Sequence, residues 1–210
     1  TAGGLAANRL ARWESATWSA LGRGMSGGSS PYVFALTVFD DGSGSQLYAG
    51  GNFINAGGVL VYRVARWNGS TWAALSATGY PGLVGLPGEV HALLVFDDGS
   101  GLALHAAGDF DFHDSNLHKL ARWTGSTWSR LGSGAVGGLV SALTVFDDGD
   151  GPLLYAGGSF SRVGSQEVYG VATWDGSVWS ALGDGLIRPA DVTVVLDANT
   201  TRASPLLQGS

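Results

Sequence analysis

The chain has no cysteine, which excludes disulfide cross-links, a thiolate nucleophile and cysteine-ligated zinc. Positive charge is scarce. Eleven lysines and arginines stand against seventeen acidic residues, for a formal charge of −6. Lys119 is the single lysine, and the ten arginines are spread along the chain without forming a basic patch. That distribution argues against nucleic acid as a partner. No apolar run is long enough to span a bilayer. The chain opens at Thr1, with neither methionine nor a signal peptide, and reads as a piece of a longer precursor. Glycine is what it has in excess, 35 of 210 residues. The glycines recur at fixed places, so they mark turns and close packing rather than a flexible linker.

Those places belong to a repeat. LARWESATWSAL (10–21), VARWNGSTWAAL (64–75), LARWTGSTWSRL (120–131) and VATWDGSVWSAL (171–182) are variants of one stretch. Each reads as a β-hairpin around a tight turn, and in the second copy Asn68-Gly69 supplies the positive φ of a type I′ turn. The two tryptophans of a copy fall on one face, because side chains alternate with a period of two. The first tryptophans lie at 13, 67, 123 and 174, a period of 51 to 56 residues. In antiphase run FALTVFDDGSG (34–44), ALLVFDDGSG (92–101) and ALTVFDDGDG (142–151), with a weaker VTVVLD (192–197). A third block follows each strong copy: LYAGGNF from Leu47, LHAAGDF from Leu104 and LYAGGSF from Leu154.

A unit is thus four short strands. In the first unit they are expected at about 32–39, 46–53, 62–67 and 71–76, with Ile54–Leu60 as a longer loop. Both faces of the first strand are apolar: Phe34, Leu36 and Val38 alternate with Ala35, Thr37 and Phe39. Sheets stacked face to face would bury both. Four strands in about fifty residues match one blade of a β-propeller. The expectation is therefore an all-β β-propeller of four-stranded antiparallel blades, formed by one domain over 1–210. Its units run about 31–77, 88–132 and 140–183, and 189–210 joined with 5–21 makes a composite closing blade. The blade count is about four, because the chain begins with a blade's last two strands and ends with its first two.

The doubled glycine after the second strand and the tryptophan before the last hairpin resemble kelch-like propeller repeats. The pattern GGxF followed by ARWDGSxWSALG is similar to repeats of large secreted and surface bacterial proteins and of a fungal cortical polarity marker. Departures are Ala107 for a glycine, Glu14-Ser15 for Asp-Gly and Thr173 for the repeated arginine. The resemblance implies no catalytic residues. It implies adhesion, surface display and protein or glycan binding, outside the cell or on its surface. The galactose oxidase cofactor of a kelch-type enzyme needs a Cys–Tyr cross-link, which the lack of cysteine excludes.

Several residues invite a chemical reading. Asp147, Asp148 and Asp150 place three carboxylates in a glycine-rich turn, the oxygen-rich setting calcium takes, although Asp and Gly are also simply what tight turns use. Arg12, Arg66 and Arg122 could gather around a carboxylate as in a sialidase. Arginines at one repeat position more naturally form the same structural pair in each unit, with an aspartate of a neighbouring turn. The loop of 109–118 breaks the repeat with Asp111, His113, Asp114 and His118, and His105 lies just before it. Imidazole with carboxylate suits a divalent ion, and a loop that departs from its repeats suits partner or ligand contact. Asn68-Gly69-Ser70 and Asn199-Thr200-Thr201 match the N-glycosylation pattern. The eight tryptophans recur too regularly for sugar platforms and read as packing. The expected function is a non-catalytic binding or structural module, alone, self-associated or within a larger chain. The alternative is a glycan-directed hydrolase or lyase with its site at the channel mouth.

Overall fold

The computed structural model describes residues 1–28, 30–77, 80–81, 88–110 and 119–183. Their regular structure is antiparallel β-sheet. Three sheets have four strands each, in simple up-and-down order. The first comprises Val33–Asp40, Ser45–Gly51, Val64–Trp67 and Trp72–Ala74. The second comprises Glu89–Asp97, Leu102–Asp109, Leu120–Trp123 and Trp128–Arg130. The third comprises Val140–Asp147, Pro152–Gly158, Val171–Trp174 and Trp179–Ala181. A hairpin of Ala11–Glu14 and Thr17–Ala20 precedes them. Among the described residues no helix is long and apolar enough to cross a membrane.

The hairpin register is the one the period-two rule demands. Trp13 faces Trp18, Trp67 faces Trp72, Trp123 faces Trp128 and Trp174 faces Trp179 across their strands. The paired indoles sit with centroids 5.0 to 5.3 Å apart and tilted to one another. The last two strands of the first sheet, Val64–Trp67 and Trp72–Ala74, are shorter than expected. The stretch Ile54–Leu60 is not only a loop. Asn55–Ala56 and Val59–Leu60 pair with each other, and the former pairs with Met25–Ser26. Arg162–Val163, Gln166–Glu167 and Ala135–Val136 do the same two repeats on. These small three-stranded sheets staple the segment leaving one hairpin to the sheet that follows.

Three apolar cores separate the elements. Leu10, Leu21 and Met25 of the N-terminal segment pack with Ala49, Phe53, Ala65 and Trp72 of the first sheet. Phe39, Tyr48 and Leu75 of the first pack with Val90, Leu104, Phe110 and Trp123 of the second. Phe96, Leu120 and Leu131 of the second pack with Leu154, Phe160, Trp174 and Trp179 of the third. The tryptophans of the last hairpin in a sheet therefore bury themselves against the preceding sheet. The indole N–H of Trp72 donates to the Leu21 carbonyl, and that of Trp179 to the Leu131 carbonyl, both at 2.9 Å. Two expectations about burial fail at the chain's leading end. Trp13 is 56% exposed and Trp18 is also exposed, because no described sheet lies on that face of the first hairpin. Phe34, Leu36 and Val38 are exposed too. Leu36 and Val38 border an open groove of about 410 Å³ with Leu10, Arg12, Leu47 and Trp67, so one face of the first strand is covered and the other is not.

Candidate functional site

The Asp-Asp-Gly turns have a division of labour. The first aspartate holds the turn: Oδ1 of Asp40, Asp97 and Asp147 accepts backbone N–H bonds from the glycines two and four residues on. The second aspartate turns inward in two of the three sheets. Asp41 has a side chain only 3% exposed, and its Oδ2 accepts from Arg66 Nη1 at 2.6 Å and from the Tyr48 hydroxyl at 3.1 Å. Burial pushes the Asp41 carboxyl up, but hydrogen bonds from the Ser43 hydroxyl, Tyr48 and the Ser43 N–H, with the Arg66 charge, outweigh it and hold it below the usual range. Burial beside that carboxylate pushes Tyr48 up to about 12.

Asp98 repeats the arrangement with a change of partner. Arg122 Nε lies 3.5 Å from Asp98 Oδ2, and His105 takes the register position of Tyr48. The indole of Trp174, from the third sheet, reaches the same oxygen at 3.5 Å. Gly176 of the third sheet's hairpin fits directly against Asp98, where a Cβ would collide with the Asp98 carbonyl oxygen and φ is +99°. Gly125 of the second sheet's hairpin, at φ +100°, fits against Asp41 in the same way. The turn of one sheet is thus the seat for the hairpin of the next. Arg66 and Arg122 are structural pairs, as their repetition suggested. Arg12 instead pairs with Glu14 at 2.8 Å on the surface. The three arginines do not converge.

The third copy differs. Thr173 replaces the arginine, and Asp147, Asp148 and Asp150 are all exposed. Among the described residues Asp148 Oδ1 accepts only a long bond from the Asp150 N–H, at 3.4 Å. Among the described residues no group of three or more His, Cys, Asp or Glu side chains is placed to hold a metal ion, these three aspartates included. Asp111, His113, Asp114 and His118 lie outside the described residues.

His105 is fully buried, and among the described residues neither ring nitrogen has a hydrogen-bond partner. Asp98 Oδ2 is 3.9 Å from Nε2, too far to bond, and the Phe96 ring packs beside it. Burial pushes the imidazole down to about 4; the Asp98 charge opposes this and Arg122 adds to it. In the unfolded chain a histidine titrates near 6.5. Between those values the unfolded state takes up a proton that the folded state refuses, so stability is complete above about pH 6.5 and falls toward pH 4. Across the window the loss is about 3 kcal/mol, which denaturant titrations at stepped pH would measure. His105→Tyr, following Tyr48, should flatten that dependence. An equally steep curve in the variant would assign it to another group.

One feature had no signal in the repeat alignment. The first strand of each four-stranded sheet carries a bulge at the same register, between Val33 and Ala35, between Val90 and Ala92, and between Val140 and Ala142. A bulge re-aims its extra residue. The three residues so placed are Phe34, His91 and Ser141, each preceded by a second unrepeated pair position, Tyr32, Glu89 and Leu139. Because the first strands of consecutive sheets lie side by side, the first two of these positions, Phe34 and His91, meet. His91 stacks on Phe34 with centroids 4.8 Å apart and planes 4° apart, and Tyr32 continues the row at 6.0 Å and 16°. Along the rim, Asn52 Oδ1 accepts the Tyr32 N–H and Asn52 Nδ2 donates to Glu89 Oε1 at 3.3 Å. Glu89 Oε2 lies 3.0 Å from His91 Nε2.

Compared with known proteins, the chain matches no family model, no curated sequence and no solved structure.

Proposed function

We propose that the chain is a kelch-like β-propeller of about four blades that serves as a non-catalytic binding or structural module of an extracellular or cell-surface protein, in contact with protein or glycan. In this reading the N-terminal hairpin supplies the outer half of a closing blade. Its inner half comes from Val192–Asp197 and the residues after it, which lie outside the described residues. Trp13 then meets the third sheet's Phe146, Tyr155 and Asp148, the counterparts of Phe39, Tyr48 and Asp41.

The observation that supports the reading is repetition in the interior. Asp41 with Arg66 and Asp98 with Arg122 occupy equivalent places, and each seats the next hairpin through Gly125 or Gly176. Charges that do the same packing task in successive units mark a scaffold; an enzyme would converge unlike groups in one pocket. The test is incubation with neutral and acidic polysaccharides. Retention without release of reducing ends or unsaturated products is the expected result. Product formation would overturn the reading in favour of a hydrolase or lyase.

A further inference from the structure

We propose that the ring has one seam, between the N-terminal hairpin and the third sheet, at which the molecule opens and recloses while its other joints hold. This rests on the closed-ring reading and adds a conformational device to it. The two joints between four-stranded sheets share a design. A glycine at the tip of the incoming hairpin, Gly125 or Gly176, lies against the backbone of the turn aspartate. An arginine of the receiving sheet, Arg66 or Arg122, faces that aspartate's buried carboxylate.

The closing joint has neither part. The tip residue that aligns with Gly125 and Gly176 is Ser15. A Cβ at Gly176 would collide with the Asp98 carbonyl oxygen, and one at Gly125 would crowd that of Asp41, so Ser15 cannot lie against Asp148 as those glycines lie against their sockets. The tip is also built differently. Its strands pair one step further, with Glu14 facing Thr17, and Ser15 and Ala16 form a two-residue turn at φ 49° and 62°. In the second and third sheets the ladder of the last hairpin stops at the paired tryptophans. On the receiving side, Thr173 faces Tyr155 where Arg66 faces Tyr48 and Arg122 faces His105. Closure would cover Asp148 with no arginine of its own sheet beside it, since the four strands of that sheet carry none. Covering a carboxylate without a partner opposes closure. What favours it is apolar contact. Trp13 and Phe146 are 56% and 57% exposed in the described residues and bury one another's surface when the joint closes. A joint with apolar contact and no fitted tip or ion pair is the least stable of the series, and local opening is drawn from the least stable contacts.

The chain has no cysteine, so one introduced thiol reports on its own surroundings. Phe146→Cys places it at the seam. Phe39→Cys and Phe96→Cys place it at the equivalent point of the two fitted joints. The full chain is treated with a thiol reagent under native conditions, and again in denaturant. Labelling at position 146 should run at least about ten-fold faster than at 39 or 96, and at least about ten-fold slower than in the unfolded chain. Adding Ser15→Gly and Thr173→Arg, which supply the missing glycine and arginine, should slow labelling at 146 and leave it unchanged at 96. If the two reference variants do not fold, the unfolded-chain rate and the effect of the added pair decide. Labelling at 146 as slow as at the references would overturn the seam and leave the ring standing. So would an intermediate rate at 146 that the added pair does not slow. Labelling at 146 at the unfolded-chain rate, with or without the added pair, would overturn the closed ring and the seam with it.

Discussion

Trp72→Ala should lower the unfolding free energy by about 3–5 kcal/mol in denaturant titration. Its indole is buried between the first sheet and Leu21 of the preceding hairpin, and its N–H bond to the Leu21 carbonyl goes with it. Gly22 and Gly57 pack on the same ring, so the cavity left behind is walled by backbone that cannot collapse into it. Trp72→Phe keeps most of the apolar contact and loses the hydrogen bond, for a smaller cost. A loss below about 1 kcal/mol for the alanine variant would show that the indole does not join hairpin to sheet. Trp13→Ala then reads out closure. If the proposed ring forms, the Trp13 indole is covered by the third sheet and its removal costs a comparable amount. If that face stays open, the cost is under about 1 kcal/mol, as for any exposed residue, and the closed ring is wrong.

Asp41→Ala is the second large effect, again about 3–5 kcal/mol. The substitution leaves the Arg66 guanidinium and the Tyr48 hydroxyl facing a vacated, largely dry site. Most of the cost is that stranding rather than the worth of the pair, so Asp41→Ala combined with Arg66→Met should be milder than Asp41→Ala alone. Asp148→Ala is the internal control. The third sheet has Thr173 in place of the arginine, so no guanidinium is stranded whether or not Trp13 closes over Asp148, and the change should cost no more than about 1 kcal/mol. Equal losses at positions 41 and 148 would show that the turn, not the buried pair, is what stabilises.

The hairpins were legible because their signals are local. Two tryptophans five residues apart, with Asn-Gly, Thr-Gly or Asp-Gly between them, leave little choice of register, and Trp67 facing Trp72 follows. The pairing of Arg66 and Arg122 with buried aspartates was legible from repetition alone. The exposure of Trp13 was not, because hairpins of near-identical sequence differ only in whether another sheet lies against them. The bulges were hidden for a related reason. Val33-Phe34-Ala35 reads as ordinary alternation, and only the partner strand reveals that Phe34 has no opposite residue. Phe34 and His91 are 57 positions apart, and nothing in either unit announces that two first strands run side by side. The small sheets at Met25–Ser26 and Ala135–Val136 are two residues per strand, too short to carry a period.

The seating of Gly125 on Asp41 and of Gly176 on Asp98 gives the molecule polarity. Each unit offers a socket on the turn of its first hairpin and a plug on the turn of its last, and the two surfaces are unlike. Such contacts are heterologous. Two chains related by a two-fold axis could use this surface only reciprocally, each chain's plug in the other's socket, never socket against socket. Units join only head to tail, and the rotation at each joint decides whether a series returns to its start or runs on as a filament.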